Sequence, residues 1–565
     1  MIRTGFVALK IGISAVALLG IVVICRGVPP WAPHSCRSDT QGRTPTEGRP
    51  YKLRHHSPLL LIARPASRPS RAAQRPVPLT LEQEIKRVEA EIDKILADTL
   101  AQLPSIPDGT AHRMKRVQTL GKLELFDKQL SVNRNTACTF CHMPDVDFTG
   151  PISMLNATTV SYPGSVRNKS ADPAQSRYGH RKPQSYTYAP YYPVLQYNKT
   201  QGDFYGGNFW DLRATGDLLQ DPAAEQAQDP PIDPNEMGFP DTACVVHRLS
   251  LSPYRSFFET VWGAQSFAIT WPSDVDRVCS TPGPAKPSDP LPVHLSRIDR
   301  GRSNATYDQF ALAIAIYEGS PDISPFSSKF DYAIAHPDQK VLSSDEQAGW
   351  DLFHGKAMCN TCHLDGTESL AGNTVRSSIT PAGVGSKAPL FTDFTSSNIG
   401  VPRNQAIPYY KEDKPDKYGF ISNPAGLGFV DKGVGAFLRD PNLNPNSDWV
   451  QLAAQFDGKF QVSTLRNVDM RPRPDFVKAY THNGYFKSLK EIVHFYNTRD
   501  KLPHCQQGAP GEKVTCWPSP EVPQNMDTTI GKLGLTNEEE DQLVAFLKAL
   551  TDGYKTRSAY PQKVP

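Results

Sequence analysis

Two five-residue motifs organise the chemistry of this 565-residue chain: Cys138-Thr139-Phe140-Cys141-His142 and Cys359-Asn360-Thr361-Cys362-His363. Both read C-x-x-C-H. Two thiols about one helical turn apart can each form a thioether to a haem vinyl group, and the adjoining imidazole then reaches the iron. With 10 Cys and 14 His in the chain, chance gives on the order of 0.004 such motifs. A zinc knuckle or a redox dithiol is the competing reading, but Cys2His2 ligand spacing is absent. The expectation is two covalently bound c-type haems, with Cys138, Cys141, Cys359 and Cys362 as attachment thiols and His142 and His363 as iron ligands.

Covalent haem of this kind is attached outside the bacterial cytoplasmic membrane, so a periplasmic location is expected. Arg3 and Lys10 precede an apolar run from Ile11 to Cys25. That run is short for a spanning helix and has the length of a signal h-region. A small-residue cleavage pattern is missing, because Val23, Ile24 and Cys25 are bulky. Residues 1–26 are therefore a signal peptide or an inner-membrane anchor, and the sequence leaves both open. Residues 27–80 are rich in Pro, Arg and Ser and read as a disordered linker. Their basic character hides an acidic body within a net charge of only +3, which leaves no global case for nucleic-acid binding. Mean hydropathy of −0.44 excludes a polytopic membrane protein. Cys244 with Cys279, and Cys505 with Cys516, can close loop disulfides in an oxidising space.

The elements that must position the two motifs are helical. Leu81–Leu103 places Ile85, Val88, Ile92, Ile95 and Leu100 on one stripe. A short approach helix precedes each motif, Leu120–Leu130 and Glu346–Lys356, and each carries a Leu-Phe pair suited to a haem edge. Thr536 caps a last helix over Asn537–Leu550, whose first turn is acidic. Alternating strand patterns are scarce. The fold class is all-α: two cytochrome-c-like haem domains with long loops, an N-terminal haem domain over 81–335 and a C-terminal one over 336–556.

Further segments, in order, resemble the bacterial diheme cytochrome c peroxidases and the related MauG-type enzymes: Leu120–Ser131, Asn208–Ala214 (NFWDLRA), Gln226–Met237 (QAQDPPIDPNEM), Leu390–Pro402, Thr464–Asn467 (TLRN) and His482–Asn497. The resemblance implies that the N-terminal haem is the peroxide site and that the C-terminal haem stores or relays electrons. It assigns Gln226 and Glu236 to the open face of the first haem, with Pro230 between them, and gives the proton transfers of O–O cleavage to Glu236. Gln220 is the alternative for the Gln role, because the spacing from Trp210 is longer than in the family. Trp210 takes the place of the tryptophan between the haems, where an aromatic ring shortens the electron path.

Departures from the family pattern sharpen the reading. Fourteen residues after His482, where the peroxidases proper carry a methionine ligand, stands Tyr496, as in MauG-type enzymes. Tyr ligation stabilises the oxidised iron, whereas Met raises the potential. No histidine clearly fills the place of the distal ligand that blocks the resting first haem; His180 lies near but sits directly before Arg181. The first haem is read as open. Lys182 and Pro183 follow Arg181 where the family has an Asn that binds interdomain calcium, so one Ca2+ between domains rests only on backbone carbonyls.

The expected activity is reduction of H2O2 to water through high-valent haem states, with electrons from a small periplasmic donor, a cytochrome c or a cupredoxin. Two alternatives are MauG-like oxidative modification of a partner protein and a non-enzymatic diheme electron carrier.

Overall fold

Thr80 accepts a hydrogen bond from the Gln83 backbone while the Gln83 side chain accepts from Thr80 N–H at 2.8 Å. This reciprocal cap starts helix α1, Leu81–Gln102, whose Ile85, Val88 and Ile92 are buried. The computed structural model describes residues 79–168, 176–365 and 389–555. The expected signal or anchor, nearly all of the linker, and Cys25 and Cys36 lie outside the described residues. Among those described, no helix is long and apolar enough to cross a membrane.

The first lobe is built on α2 (Arg113–Leu125), α3 (Pro222–Gln228), α4 (Thr242–Ser250) and the long α5 (Arg297–Glu318). The second lobe is built on α6 (Ser344–His354), α7 (Leu489–Thr498) and α8 (Asn537–Ala549). Ser343 with Glu346 and Thr536 with Glu539 close capping boxes at α6 and α8. The two approach helices are anchored alike. A Cβ on Gly121 would stand 2.0 Å from the Ala313 carbonyl oxygen, and one on Gly349 would stand 2.0 Å from that of Gln542. A bare backbone therefore sits where α2 crosses α5 and where α6 crosses α8. From those crossings Leu125-Phe126 and Leu352-Phe353 run on toward the C-x-x-C-H turns, and both phenylalanines are 1% exposed.

Strands are few and short. β1 (Gln196–Asn198) pairs antiparallel with β2 (Asp203–Tyr205), setting Tyr197 opposite Phe204. β3 (Ser396–Ser397) pairs with β4 (Phe460–Gln461). One apolar core runs from Ile85 to Ile323, joined by Phe476, and a second from Phe330 to Leu550. Two smaller clusters mix residues from both halves of the sequence: Leu195, Phe204 and Leu212 with Val434, Phe437 and Phe456, and Tyr188 and Tyr192 with Leu390 and Phe394. The described residues lie within one compact unit. Cys244–Cys279 and Cys505–Cys516 are both disulfide-bonded.

Candidate functional site

The first motif forms a 3-10 turn over Cys138–Phe140 that brings the Cys141 N–H to the Cys138 carbonyl at 3.2 Å. Asp147 and Phe148 adopt left-handed backbone, and the resulting turn aims the Phe148 carbonyl at His142 Nδ1, 2.8 Å away. A carbonyl only accepts, so Nδ1 carries the proton and Nε2 keeps its lone pair. This is the outer-shell bond that orients a metal-bound imidazole. Burial lowers the His142 pKa to about 4, so the ring is neutral at physiological pH.

A small cleft opens beside it. Its walls bring together Cys138, Cys141 and His142 with Gln226, Pro230 and Glu236. Gln226 is placed by α3, which Asp221 caps by accepting from the Ala223 and Ala224 N–H groups with Pro222 at the first turn. Glu236 is placed by a turn in which the Asp233 carbonyl accepts from both Glu236 and Gly238 N–H, while Met237 N–H bonds the Pro230 carbonyl. Arg213 holds the start of that turn through Asp229 at 2.8 Å. The Glu236 carboxyl is pushed above the usual carboxylate range by desolvation first, then by the Asp233 and Asp229 charges, against the pull of Arg213. Gln220 is exposed, bonds the Asp217 carbonyl at 2.8 Å, and does not line the cavity. His142 is the one histidine on this wall. The ring of His180 stands instead between Tyr409 and Phe429, with centroids 5.2 Å from each.

The second motif repeats the arrangement with Cys359–Thr361 as a 3-10 turn and His363 Nδ1 3.0 Å from the Phe391 carbonyl. Cys359, Cys362, His363 and Tyr496 wall one larger cavity, open to solvent, and Trp210 lines it as well. Helix α7 presents Tyr496 after Ser488 caps it by accepting from Glu491 N–H. Burial pushes the Tyr496 phenol up, and the nearby Cys362 and Cys359 thiols push it further. His482 lines the same cavity, stacked 3.5 Å from Phe460. Burial lowers its pKa first, with the charges of Asp431, Arg181 and His180 acting after it. Met358, the one methionine of that wall, adjoins Cys359 in sequence.

Trp210 is pinned between the halves. Its indole N–H bonds the Lys182 carbonyl at 3.1 Å, and its own carbonyl accepts from Gln461 N–H at 2.8 Å. The seam around it holds two buried lysines that sequence reading did not single out as a pair. Lys182 Nζ donates to Thr149 Oγ1 and the Pro183 carbonyl, both at 2.9 Å. Lys478 Nζ donates to the Asn467 carbonyl at 2.9 Å and to Asp147 at 3.3 Å. A donor amine is no calcium ligand, and hard cations require a shell of oxygens. This seam does not suit Ca2+.

The donor set does suit haem. Cys138, Cys141, Cys359 and Cys362 lie outside both disulfides, each pair beside an oriented imidazole and an apolar-walled cavity. Among the described residues no group of three or more His, Cys, Asp and Glu could hold a metal ion. Also missed from sequence was Glu318 of α5, 1% exposed, which lines the first cavity with one carboxylate oxygen unpartnered. A lone Glu late in a helix carries no signal of that burial.

Two oriented imidazoles, each beside a cysteine pair and a cavity within one largely helical body, are the arrangement that a di-haem redox protein needs. Residues 115–339 match the family of di-haem cytochrome c peroxidases. The chain is 27% identical to methylamine utilization protein MauG of Paracoccus denitrificans over 79% of its length and 92% of that protein. It is 24% identical to cytochrome-c peroxidase IdrP1 of Denitromonas iodatirespirans over 80% of its length and 86% of that protein. The crystal structure of the diheme peroxidase BthA from Burkholderia thailandensis shares the fold, with a TM-score of 0.53 and 23% identity over 77% of this chain and 86% of that one. These likenesses make the chain an oxidoreductase similar to the di-haem cytochrome c peroxidases and to MauG.

Proposed function

We propose that the chain is an exported peroxidase with two thioether-bound haems, one held at Cys138, Cys141 and His142, the other at Cys359, Cys362, His363 and Tyr496. The division 81–335 and 336–556 then separates peroxide chemistry from electron storage. The observation that carries the reading is the asymmetry of the two cavities. The first pairs its imidazole with Gln226 and Glu236, and the second pairs its imidazole with a tyrosine.

Bound haem supplies an iron that coordinates peroxide and exchanges electrons. The chain's own groups do the rest. Gln226 offers its amide to hold peroxide against the wall that Pro230 shapes. Glu236 takes the proton of the inner oxygen and returns it to the outer one, so that water leaves. Two electrons and two protons complete the conversion of H2O2 to two waters. Trp210 carries electrons across the seam.

Electrons enter at the second motif. Met358 there is 45% exposed, whereas Thr139 and Phe140 of the first motif are 0% exposed. The donor is a small periplasmic redox protein, a cytochrome c or cupredoxin. The two disulfides support export to an oxidising compartment, with residues 1–26 as signal or inner-membrane tether.

Steady-state H2O2 consumption with reduced cytochrome c or cupredoxin tests the reading. Sustained turnover is expected. Oxidation of a partner protein's side chains with negligible turnover would favour the MauG-like alternative. No peroxide reaction at all would leave an electron carrier.

A further inference from the structure

Two amines in the seam between the halves take no part in the chemistry proposed above. Lys182 comes from the first half of the sequence and Lys478 from the second, and both are buried. Both line the second cavity. Lys478 Nζ pairs with Asp147 across the seam at 3.3 Å and also bonds the Asn467 and Met470 carbonyls, at 2.9 and 3.3 Å. Lys182 Nζ bonds two neutral oxygens, Thr149 Oγ1 and the Pro183 carbonyl, and Thr149 donates to that same carbonyl at 2.5 Å. The Lys182 ammonium stands 5.9 Å from the centroid of the Trp210 ring.

The charges around these amines do not cancel. Lys478 and Asp147 act on Lys182, while Asp147, Asp469 and Arg471 act on Lys478. Three cationic side chains thus face two carboxylates, and Asp469 is already bonded by Arg471. The two ammonium groups are left to share Asp147. Burying such a charge is costly unless another charge offsets it. The second cofactor, with carboxylate side chains of its own, would bring that charge to the cavity both amines line. Asp147 also ties the amines to the first motif, because the next residue, Phe148, supplies the carbonyl that orients His142. A divalent metal ion has no place here. The oxygens it would need, Thr149 Oγ1 and the Pro183, Asn467 and Met470 carbonyls, already accept from amines that would repel it.

We propose that Lys182 and Lys478 are the resident cation of this seam: their ammonium groups join the halves around Asp147 and hold positive charge beside the second cofactor, so that no divalent metal is needed between them. The inference rests on the reading of both cavities as haem sites. A fixed positive charge nearby favours the reduced iron, so the amines raise that haem's midpoint potential.

The test uses the full-length holoprotein, with haem counted by pyridine haemochrome and metal by plasma mass spectrometry. Wild-type protein dialysed against EGTA and then against Ca2+ should take up no stoichiometric calcium. Its midpoint potentials and ferric EPR spectrum should be the same in both states. Lys182→Met and Lys478→Met each keep an unbranched side chain and remove its charge, and they are made separately so that one unstable variant leaves the other. Each should lower the second haem's midpoint potential by about 59 mV or more, a tenfold change in its one-electron equilibrium. One calcium per chain whose removal shifts the potentials would overturn the inference, as would haem-loaded Met variants with unchanged potentials. Fewer than two haems per wild-type chain would instead overturn the haem-site reading beneath it.

Discussion

The indole N–H of Trp210 is hydrogen-bonded to the backbone carbonyl of Lys182 at 3.1 Å, and the Lys182 N–H is in turn bonded to the carbonyl of His482 at 2.8 Å. The ring that lines the second cavity is thus fixed by the segment that leads away from His180. Trp210→Phe keeps an apolar wall but removes the N–H and the electron-rich indole. Peroxide binding should be unchanged, while stopped-flow oxidation of the second haem slows by about tenfold or more, a loss of ~1.4 kcal/mol of barrier lowering. Unchanged second-haem kinetics would remove Trp210 from the electron path.

Tyr496 lies beside the Cys359 and Cys362 thiols in the second cavity. Tyr496→Met should replace an anionic oxygen ligand by a thioether and raise the second haem's potential. A rise of about 0.2 V is expected, inside the ~0.8 V that axial ligands span. Spectroelectrochemistry reads it directly. An unchanged spectrum and potential would show that the iron is bound elsewhere.

Glu236 has a carboxyl raised above its ordinary range by desolvation and by Asp233 and Asp229. The ionised form must take the first proton, so kcat/KM for peroxide should rise with pH along a limb displaced above the usual carboxylate range. Asp233→Asn removes a repelling charge and should move that limb to lower pH. Glu236→Gln should abolish the limb and cost ~10²- to 10⁴-fold in rate. A Gln variant that keeps both rate and limb would hand the proton role to another group.

Gly121 and Gly349 sit at the two helix crossings with carbonyl oxygens 2.0 Å from where a Cβ would stand. Gly121→Ala and Gly349→Ala should each cost ~1–3 kcal/mol, the usual penalty of overpacking, and lower the thermal midpoint of the holoprotein. Gly301 on the open side of α5 has nothing within 4 Å of such a Cβ, so Gly301→Ala should be neutral or slightly stabilising.

What could be read from the sequence was whatever local pattern encodes. The C-x-x-C-H turns, the capped helices α1 and α8, and the scarcity of strands follow from spacing and side-chain chemistry within a few residues. Gln226, Pro230 and Glu236 were named by resemblance, and the structure sets them on one wall with His142. Three features escaped because they arise from distant contacts. The glycines at the helix crossings are ordinary helix residues until α5 and α8 pack on them. The buried amines of Lys182 and Lys478 look like surface lysines until both halves enclose them. Asp431 carries no signal of its own in the sequence, and its burial is explained by Arg181, 250 positions earlier in the chain.

The most direct test of the central claim is ferric EPR of the purified holoprotein before and after one equivalent of H2O2. The account predicts one high-spin and one low-spin signal of equal weight, both lost on peroxide addition. Two low-spin signals that peroxide leaves untouched would contradict it.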